Sequence, residues 1–191
     1  HHNLISSIEG SRMVIIATPA MAIRETMEYI APYLEKGALI TDTGSTKTSV
    51  MKWAEEILPR GVPFVGGHPL AGRETSGIES ADPDLFLDKM YCILPGAGAS
   101  RDGVRLVTSM VETLGSRPYF VDPVEHDSYV AAVSHLPFLL STALVASTTK
   151  STSWTEMSRL ASTGYAGMSR LASGDPVMHR DICVTNPEPI I

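Results

Sequence analysis

Met13-Val14-Ile15-Ile16-Ala17 and, one helix-length later, Ala38-Leu39-Ile40-Thr41 decide the fold. Each is a short unbroken apolar run rich in β-branched residues, the pattern of a strand buried on both faces. Thr18-Pro19 ends the first run. Ile23, Met27, Ile30 and Leu34 then fall on one face of a helix from Met21 to Leu34, and Gly37 stops it. Asp42-Thr43-Gly44-Ser45 leaves the second strand, Val50 to Leu58 forms a second helix, and Phe64–Gly67 is a third short strand. This alternation predicts a parallel α/β sheet with right-handed crossovers. Beyond a loop from Pro69 to Lys89, strands at Met90–Leu94 and Tyr119–Val121, with a helix from Arg101 to Leu114 between them, are expected to extend the same sheet.

The pattern changes at Asp122-Pro123, an N-cap residue followed by proline at the first helical position. The spacing predicts a helix to about Thr149, kinked or broken at Pro137. Ala131, Ala132, Val133, Leu139, Leu140, Ala143, Leu144 and Val145 cover more than one of its faces, which calls for burial in a bundle or against another subunit. Shorter helices follow near Thr155–Ala161 and Pro176–Asn186. The expected domains are residues 1–122, a sheet domain, and 123–191, a helical domain. The string MSRLAS occurs at 157–162 and again at 168–173, and reads as coincidence or a local duplication.

The 191 residues carry a formal net charge of −6 and no basic run, which argues against a nucleic-acid surface. Apolar residues at 43% and charged residues at 19% exclude a disordered chain. Cys92 and Cys183 fit neither a disulfide framework nor a metal motif, and they point to a reducing cytoplasm. Cys92 reads as a small buried hydrophobe. No unbroken apolar run approaches the ~20 residues that span a bilayer.

In open parallel sheets, ligands bind where strands end. Three exit loops are unusual: Ala17-Thr18-Pro19, Asp42 to Lys47, and Gly66-Gly67-His68-Pro69-Leu70-Ala71-Gly72. His68 follows two glycines that permit close backbone approach to a ligand, and a neutral imidazole there can take a proton from a substrate hydroxyl. Its plain alternative is a loop histidine bonded to backbone. Ser45 can bind a ligand or cap the next helix, with the cap preferred. Lys47 reads as solvated. Glu74 can orient a base or simply be exposed. His135, on an apolar helix, is a satisfied core histidine or faces a cleft. Arg170 can clamp a carboxylate in bidentate fashion, whereas Arg180-Asp181 reads as a structural ion pair or cap. No GxGxxG turn follows a strand, so motif spacing does not indicate a dinucleotide site.

Four ordered strings carry a resemblance. Gly66 to Gly72 with Glu74 and Ser76-Gly77, Asp42 to Lys47, Ser134-His135-Leu136-Pro137, and Ser169-Arg170-Leu171-Ala172-Ser173-Gly174-Asp175-Pro176 followed by Arg180-Asp181-Ile182 resemble the prephenate/arogenate dehydrogenase family over about residues 4–188. The resemblance implies a Rossmann-like domain followed by an all-helical domain that forms a homodimer. It also implies that a β–α–β unit with the glycine-rich phosphate turn would precede residue 1. It implies an NAD- or NADP-dependent cytoplasmic enzyme, NAD favoured, that oxidatively decarboxylates prephenate or arogenate, with no metal, nucleic acid or membrane partner. Carried over, His68 is the catalytic histidine, and Ser45 sits between the substrate hydroxyl, His68 and the nicotinamide. Arg170 binds a substrate carboxylate, His135 lines the pocket, and Glu74 is a nearby gating carboxylate. Thr18 and Pro19 touch the cofactor. Two residues depart from the family pattern: His179 stands where tryptophan is frequent, and Phe138 where a second histidine often follows SHLP. The competing expectations are a ligand-binding module without turnover, a different β-hydroxyacid-type dehydrogenase, which the SHLP and GGHPLAG strings argue against, and a structural dimerisation unit.

Overall fold

A computed structural model describes residues 3–72 and 77–191. A short helix α1 (Leu4–Ile8) leads into β1 (Met13–Ile16), α2 (Ala20–Ile30), β2 (Leu39–Asp42), α3 (Thr48–Ile57) and β3 (Phe64–Pro69). These are followed by β4 (Met90–Pro95), α4 (Arg101–Thr113) and β5 (Arg117–Phe120). Strands lie side by side in chain order, and β1, β2 and β3 are mutually parallel.

The expectation of a wholly parallel sheet fails at β4, which runs antiparallel to β3, while β5 is again parallel to β4. The cause is the connection over 70–89. Its described part holds a 3-10 turn, Ile78–Ser80, and further turns over 83–88 but no longer helix, and a parallel return needs a crossover, usually helical. The chain therefore re-enters at the edge it left, and β4 begins where β3 ends, with His68 opposite Cys92.

Alternation along each strand divides the core into two layers. Ile16, Ile40 and Phe64 face α2 and α3, meeting Ile23, Met27, Ile30, Val50 and Ala54. Leu39, Val65, Tyr91 and Ile93 face α4, meeting Val107 and Val111. Each such side chain contributes roughly 1.5–3 kcal/mol by leaving water. The sandwich holds the exits of β1, β2 and β3 on one rigid edge.

Asp122 caps the next helix as its sequence requires, accepting from the N–H groups of Val124 and Glu125, with Pro123 in the first turn. The helix does not break at Pro137. It runs from α5 (Pro123–Val130) through a π-helical turn (Ala131–His135) into α6 (Leu136–Thr149). The Leu136 N–H reaches back to the Ala131 carbonyl, and this widened turn precedes a proline that lacks an N–H. The whole run of 27 residues, Pro123–Thr149, is long and apolar enough on average to cross a bilayer, which the count of unbroken apolar residues missed. Its polar residues His126, Asp127 and His135 are buried in the protein. On other faces Val133 and Leu140 are exposed in the single chain.

Four further helices complete the chain: α7 (Trp154–Leu160), α8 (Thr163–Ser169), α9 (Pro176–Thr185) and α10 (Pro187–Ile190). A 3-10 segment, Arg170–Ser173, joins α8 to α9 and packs against α6. The two MSRLAS copies differ in structure, since the first lies mostly within α7 and the second spans the end of α8 and the 3-10 segment. α9 docks onto the sheet half: the Asp181 carboxylate accepts from the Met21 N–H, which opens α2, and the Thr185 hydroxyl meets that of Thr46 at 2.8 Å. Arg180 pairs with Asp181 as the sequence suggested.

Candidate active site

His68 stands on β3 at the sheet edge, and α5 crosses that edge. The two are joined through their imidazoles, with His68 Nδ1 2.8 Å from His126 Nε2 and the rings inclined at 71°. His126 Nδ1 lies 2.8 Å from Asp127 Oδ1. A carboxylate only accepts, so His126 carries its proton on Nδ1 and presents a lone pair at Nε2. His68 must then donate from Nδ1, which leaves its Nε2 as the proton acceptor. Among the described residues nothing hydrogen-bonds that nitrogen. The Asp127–His126–His68 chain thus fixes the tautomer and the orientation of the His68 ring.

Asp127 is itself held. Its Oδ1 also accepts from the Lys47 N–H at 2.7 Å and its Oδ2 from the Thr48 N–H at 2.8 Å. It therefore caps α3 from another helix, which corrects the expectation that Ser45 does so. Burial works to raise its pKa, but hydrogen bonds from His126, Thr48 and Lys47 outweigh that and hold the carboxyl below the usual range. Ser45 is half-buried in the loop after β2 and makes no hydrogen bond among the described residues.

The expectation of a solvated Lys47 is also wrong. Its side chain is fully buried, paired with the Asp42 carboxylate and donating to the Gly67 carbonyl at 2.7 Å. Asp42 in turn accepts from the Gly67 N–H at 3.2 Å and the Gly44 N–H at 2.8 Å. The glycines before His68 serve packing rather than approach to a ligand. A Cβ on Gly67 would lie 2.5 Å from the Asp42 carbonyl and 2.8 Å from the Tyr91 hydroxyl, and one on Gly66 would lie 2.8 Å from Met51 Sδ.

Burial, then the positive charge of Lys47, then His126 and His135, hold the His68 imidazole well below its ordinary range, so it is neutral in the free protein. Burial pushes the Tyr91 phenol up to about 12, with Asp42 adding to the effect, and raises the Cys92 thiol. Both cysteines are free.

His135 lies in the π-helical turn, buried, with Nδ1 3.3 Å from Asn186 Nδ2. The same amide donates to the Asp127 carbonyl at 2.9 Å. His135 is thus a satisfied buried histidine in the same electrostatic cluster as His68. Burial holds it down to about 4, so in the window from 6.5 to about 4 the unfolded chain takes up a proton that the folded chain refuses. Stability is full above 6.5 and falls as pH drops toward 4, by an amount on the order of 3 kcal/mol. Thermal unfolding followed across that window is expected to show a steeper acid decline for the unaltered protein than for His135→Gln; parallel declines would contradict it.

Thr18 follows β1 at the strand exit with its hydroxyl buried and, among the described residues, without a hydrogen-bond partner. Pro19 caps α2 through its backbone carbonyl. Arg170 is exposed and opens the 3-10 segment that packs against α6. Glu74 lies outside the described residues. Phe138 and His179, the two departures from the family pattern, are stacked on each other, with centroids 3.3 Å apart. Sequence reading missed His126, Asp127 and Asn186. The signal was present: His126, Asp127, Val130, Ala131 and His135 share one face of a helix, and polar groups on a buried face must be paired.

Residues 1–120 match the family described as prephenate dehydrogenase, nucleotide-binding domain, and residues 122–191 that described as prephenate dehydrogenase, dimerization domain. The prephenate dehydrogenase of Bacillus subtilis (strain 168) is 35% identical across 99% of this chain and 52% of its own length. The cyclohexadienyl dehydrogenase of Zymomonas mobilis is 28% identical across 94% of this chain and 62% of its own. Among solved structures, the Aquifex aeolicus prephenate dehydrogenase in complex with hydroxyphenyl propionate and NAD+ superposes with a TM-score of 0.88 at 31% identity, over 97% of this chain and 65% of that one. The Synechocystis arogenate dehydrogenase superposes at 0.81 with 29% identity, over 97% and 67%. The chain spans about half the length of the curated Bacillus and Lactococcus relatives it matches. With both halves matched in order, and a mixed Rossmann-like sheet carrying a helical second half, the chain belongs to the prephenate dehydrogenase family.

Proposed function

We propose that the protein carrying this chain oxidatively decarboxylates prephenate to 4-hydroxyphenylpyruvate in tyrosine biosynthesis, with NAD+ as the favoured acceptor and NADP+ as the alternative. One observation carries the reading: the Asp127–His126–His68 chain leaves a neutral imidazole with its lone pair on Nε2 at a strand-exit edge. The bound NAD+ of the Aquifex relative, and the nucleotide-binding description matched by residues 1–120, support the cofactor class.

His68 accepts the proton of the substrate's ring C4 hydroxyl. The C4 hydrogen leaves with its electron pair and the C4–O bond becomes a carbonyl; the ring carboxylate then departs as CO2, the electrons of the broken bond aromatise the ring, and the resulting phenolate oxygen takes the proton back from His68. NAD(P)+ supplies the two-electron acceptor. As His68 gains positive character, its Nδ1 proton moves toward His126, and the Asp127 carboxylate offsets the charge through that ring. Ser45, half-buried between Gly44, anchored on Asp42, and Thr46, anchored on Thr185, is assigned to hydrogen-bond the hydroxyl or the cofactor. Thr18, with its unpartnered hydroxyl, and Pro19 are assigned to the cofactor. Arg170, His135 and Glu74 are assigned to the substrate side.

The exposed apolar faces of Val133 and Leu140, together with the dimerization description matched by residues 122–191, support a homodimer through the helical half, acting in the cytoplasm. The arogenate reading keeps the same machinery and yields tyrosine; the likeness to the Synechocystis enzyme supports it.

The test is NADH or NADPH formation by the protein with prephenate and with arogenate, each against both cofactors. Rapid NADH formation with prephenate is expected. Ligand binding without turnover in all four combinations would reject the enzyme reading. Arg170→Gln is expected to raise the substrate KM by roughly 10–100-fold with kcat little changed, as for loss of a charged hydrogen bond to a carboxylate. An unaltered KM would remove Arg170 from the clamp.

A further inference from the structure

The chemistry above gives Lys47 no task, yet it is one of the costliest residues to bury. Taking an ammonium out of water costs several kcal/mol even when it is paired, and an apolar side chain would fill the space without that penalty. Its contacts show what the burial achieves. The Lys47 N–H donates to Asp127 Oδ1, the same oxygen that receives His126 Nδ1. The Lys47 ammonium donates to the Gly67 carbonyl, which belongs to the peptide joining Gly67 to His68. Its partner Asp42 holds the Gly67 N–H. One residue therefore grips the backbone of the first histidine and the anchor of the second.

We propose that Lys47 is a positioning residue that sets the approach of His68 to His126 and, through its buried positive charge, keeps the His68 imidazole free to accept a proton. Burial is the largest influence lowering His68, and the Lys47 charge comes next, ahead of His126 and His135. The titratable groups around the site, among the described residues, are Asp42 on β2, Tyr91 and Cys92 on β4, His126 and Asp127 on α5, and His135 in the π-helical turn. Burial lowers Lys47 from its ordinary value and works against its charge, while Asp42 and Asp127 act the other way and sustain the field it exerts on His68.

This inference rests on reading His68 as the base, and the experiment separates the two. Lys47→Met and the double variant Lys47→Met/Asp42→Asn are made in the whole protein. The double variant removes both buried charges, so folding does not depend on an uncompensated Asp42. The His68 imidazole is titrated by NMR with labelled histidine, its signal assigned by its absence from His68→Asn, and kcat/KM for prephenate is followed against pH. The expected result is that His68 titrates about one pH unit or more higher in the variants. The acid limb of kcat/KM is expected to move up with it, so that about tenfold is lost on the acid side of that limb and recovered as pH rises toward neutral, with KM little changed. An unmoved His68 titration overturns the proposal, as does a loss of activity equal at every pH. If the unaltered protein does not turn over prephenate, the His68 titration still decides for or against Lys47.

Discussion

His68→Asn will lower turnover by about 10²–10⁴-fold, the usual contribution of a general base, with substrate affinity nearly unchanged. Asparagine can still present a donor to His126 Nε2, so the surrounding chain keeps its bonds, but it offers no basic nitrogen to the substrate. Single-turnover measurements of the first NADH formed are the most direct check, because they exclude product release. Because His68 is held well below its ordinary range, it is already unprotonated at neutral pH. Protonation removes the base, so activity should persist as pH falls below 6.5 and fail only as pH falls through the lowered value. Turnover matching the unaltered enzyme would take His68 out of the chemistry.

Asp127→Asn will cost about as much, 10²–10⁴-fold in kcat, without touching substrate. An amide can turn its NH2 toward His126 Nδ1, and His126 then places its proton on Nε2. His68 Nδ1 becomes the acceptor and its Nε2 carries the hydrogen, which is the wrong tautomer for a base. The same substitution weakens the cap on α3, where both Asp127 oxygens receive backbone N–H groups of Lys47 and Thr48. A stability loss of about 1–3 kcal/mol is expected alongside. Thermal unfolding and kcat measured on the same preparation separate the two effects. A stability loss with kcat intact would leave Asp127 a helix cap only.

Much of the architecture was legible before any coordinates. Ile23, Met27 and Ile30 at helical spacing do face the sheet, and Asp122-Pro123 does open a helix, because both signals are local. His68 at a strand end was legible for the same reason, since a glycine pair and a proline around a histidine mark a constrained position. Lys47 was misread because a lysine following a strand exit is usually hydrated, and nothing nearby announces that Asp42 and the Gly67 carbonyl will enclose it. Glycine is needed at 66 and 67 because Met51 and Tyr91, which fill the space their side chains would take, come from other elements.

The sequence by itself determined where the strands and the longer helices form, where the helical half begins, and which family patterns the chain carries, since these rest on periodicities and contacts within a few residues. The tertiary structure decided the reversal of β4, the burial of Lys47 and the joining of His68 to His126 and Asp127. Those bonds close over 58 residues between the histidines and 80 between Lys47 and Asp127. No local pattern encodes such a pairing, because the free energy that selects it comes from desolvating several polar groups together, and each is tolerable in the interior only when the others are in place.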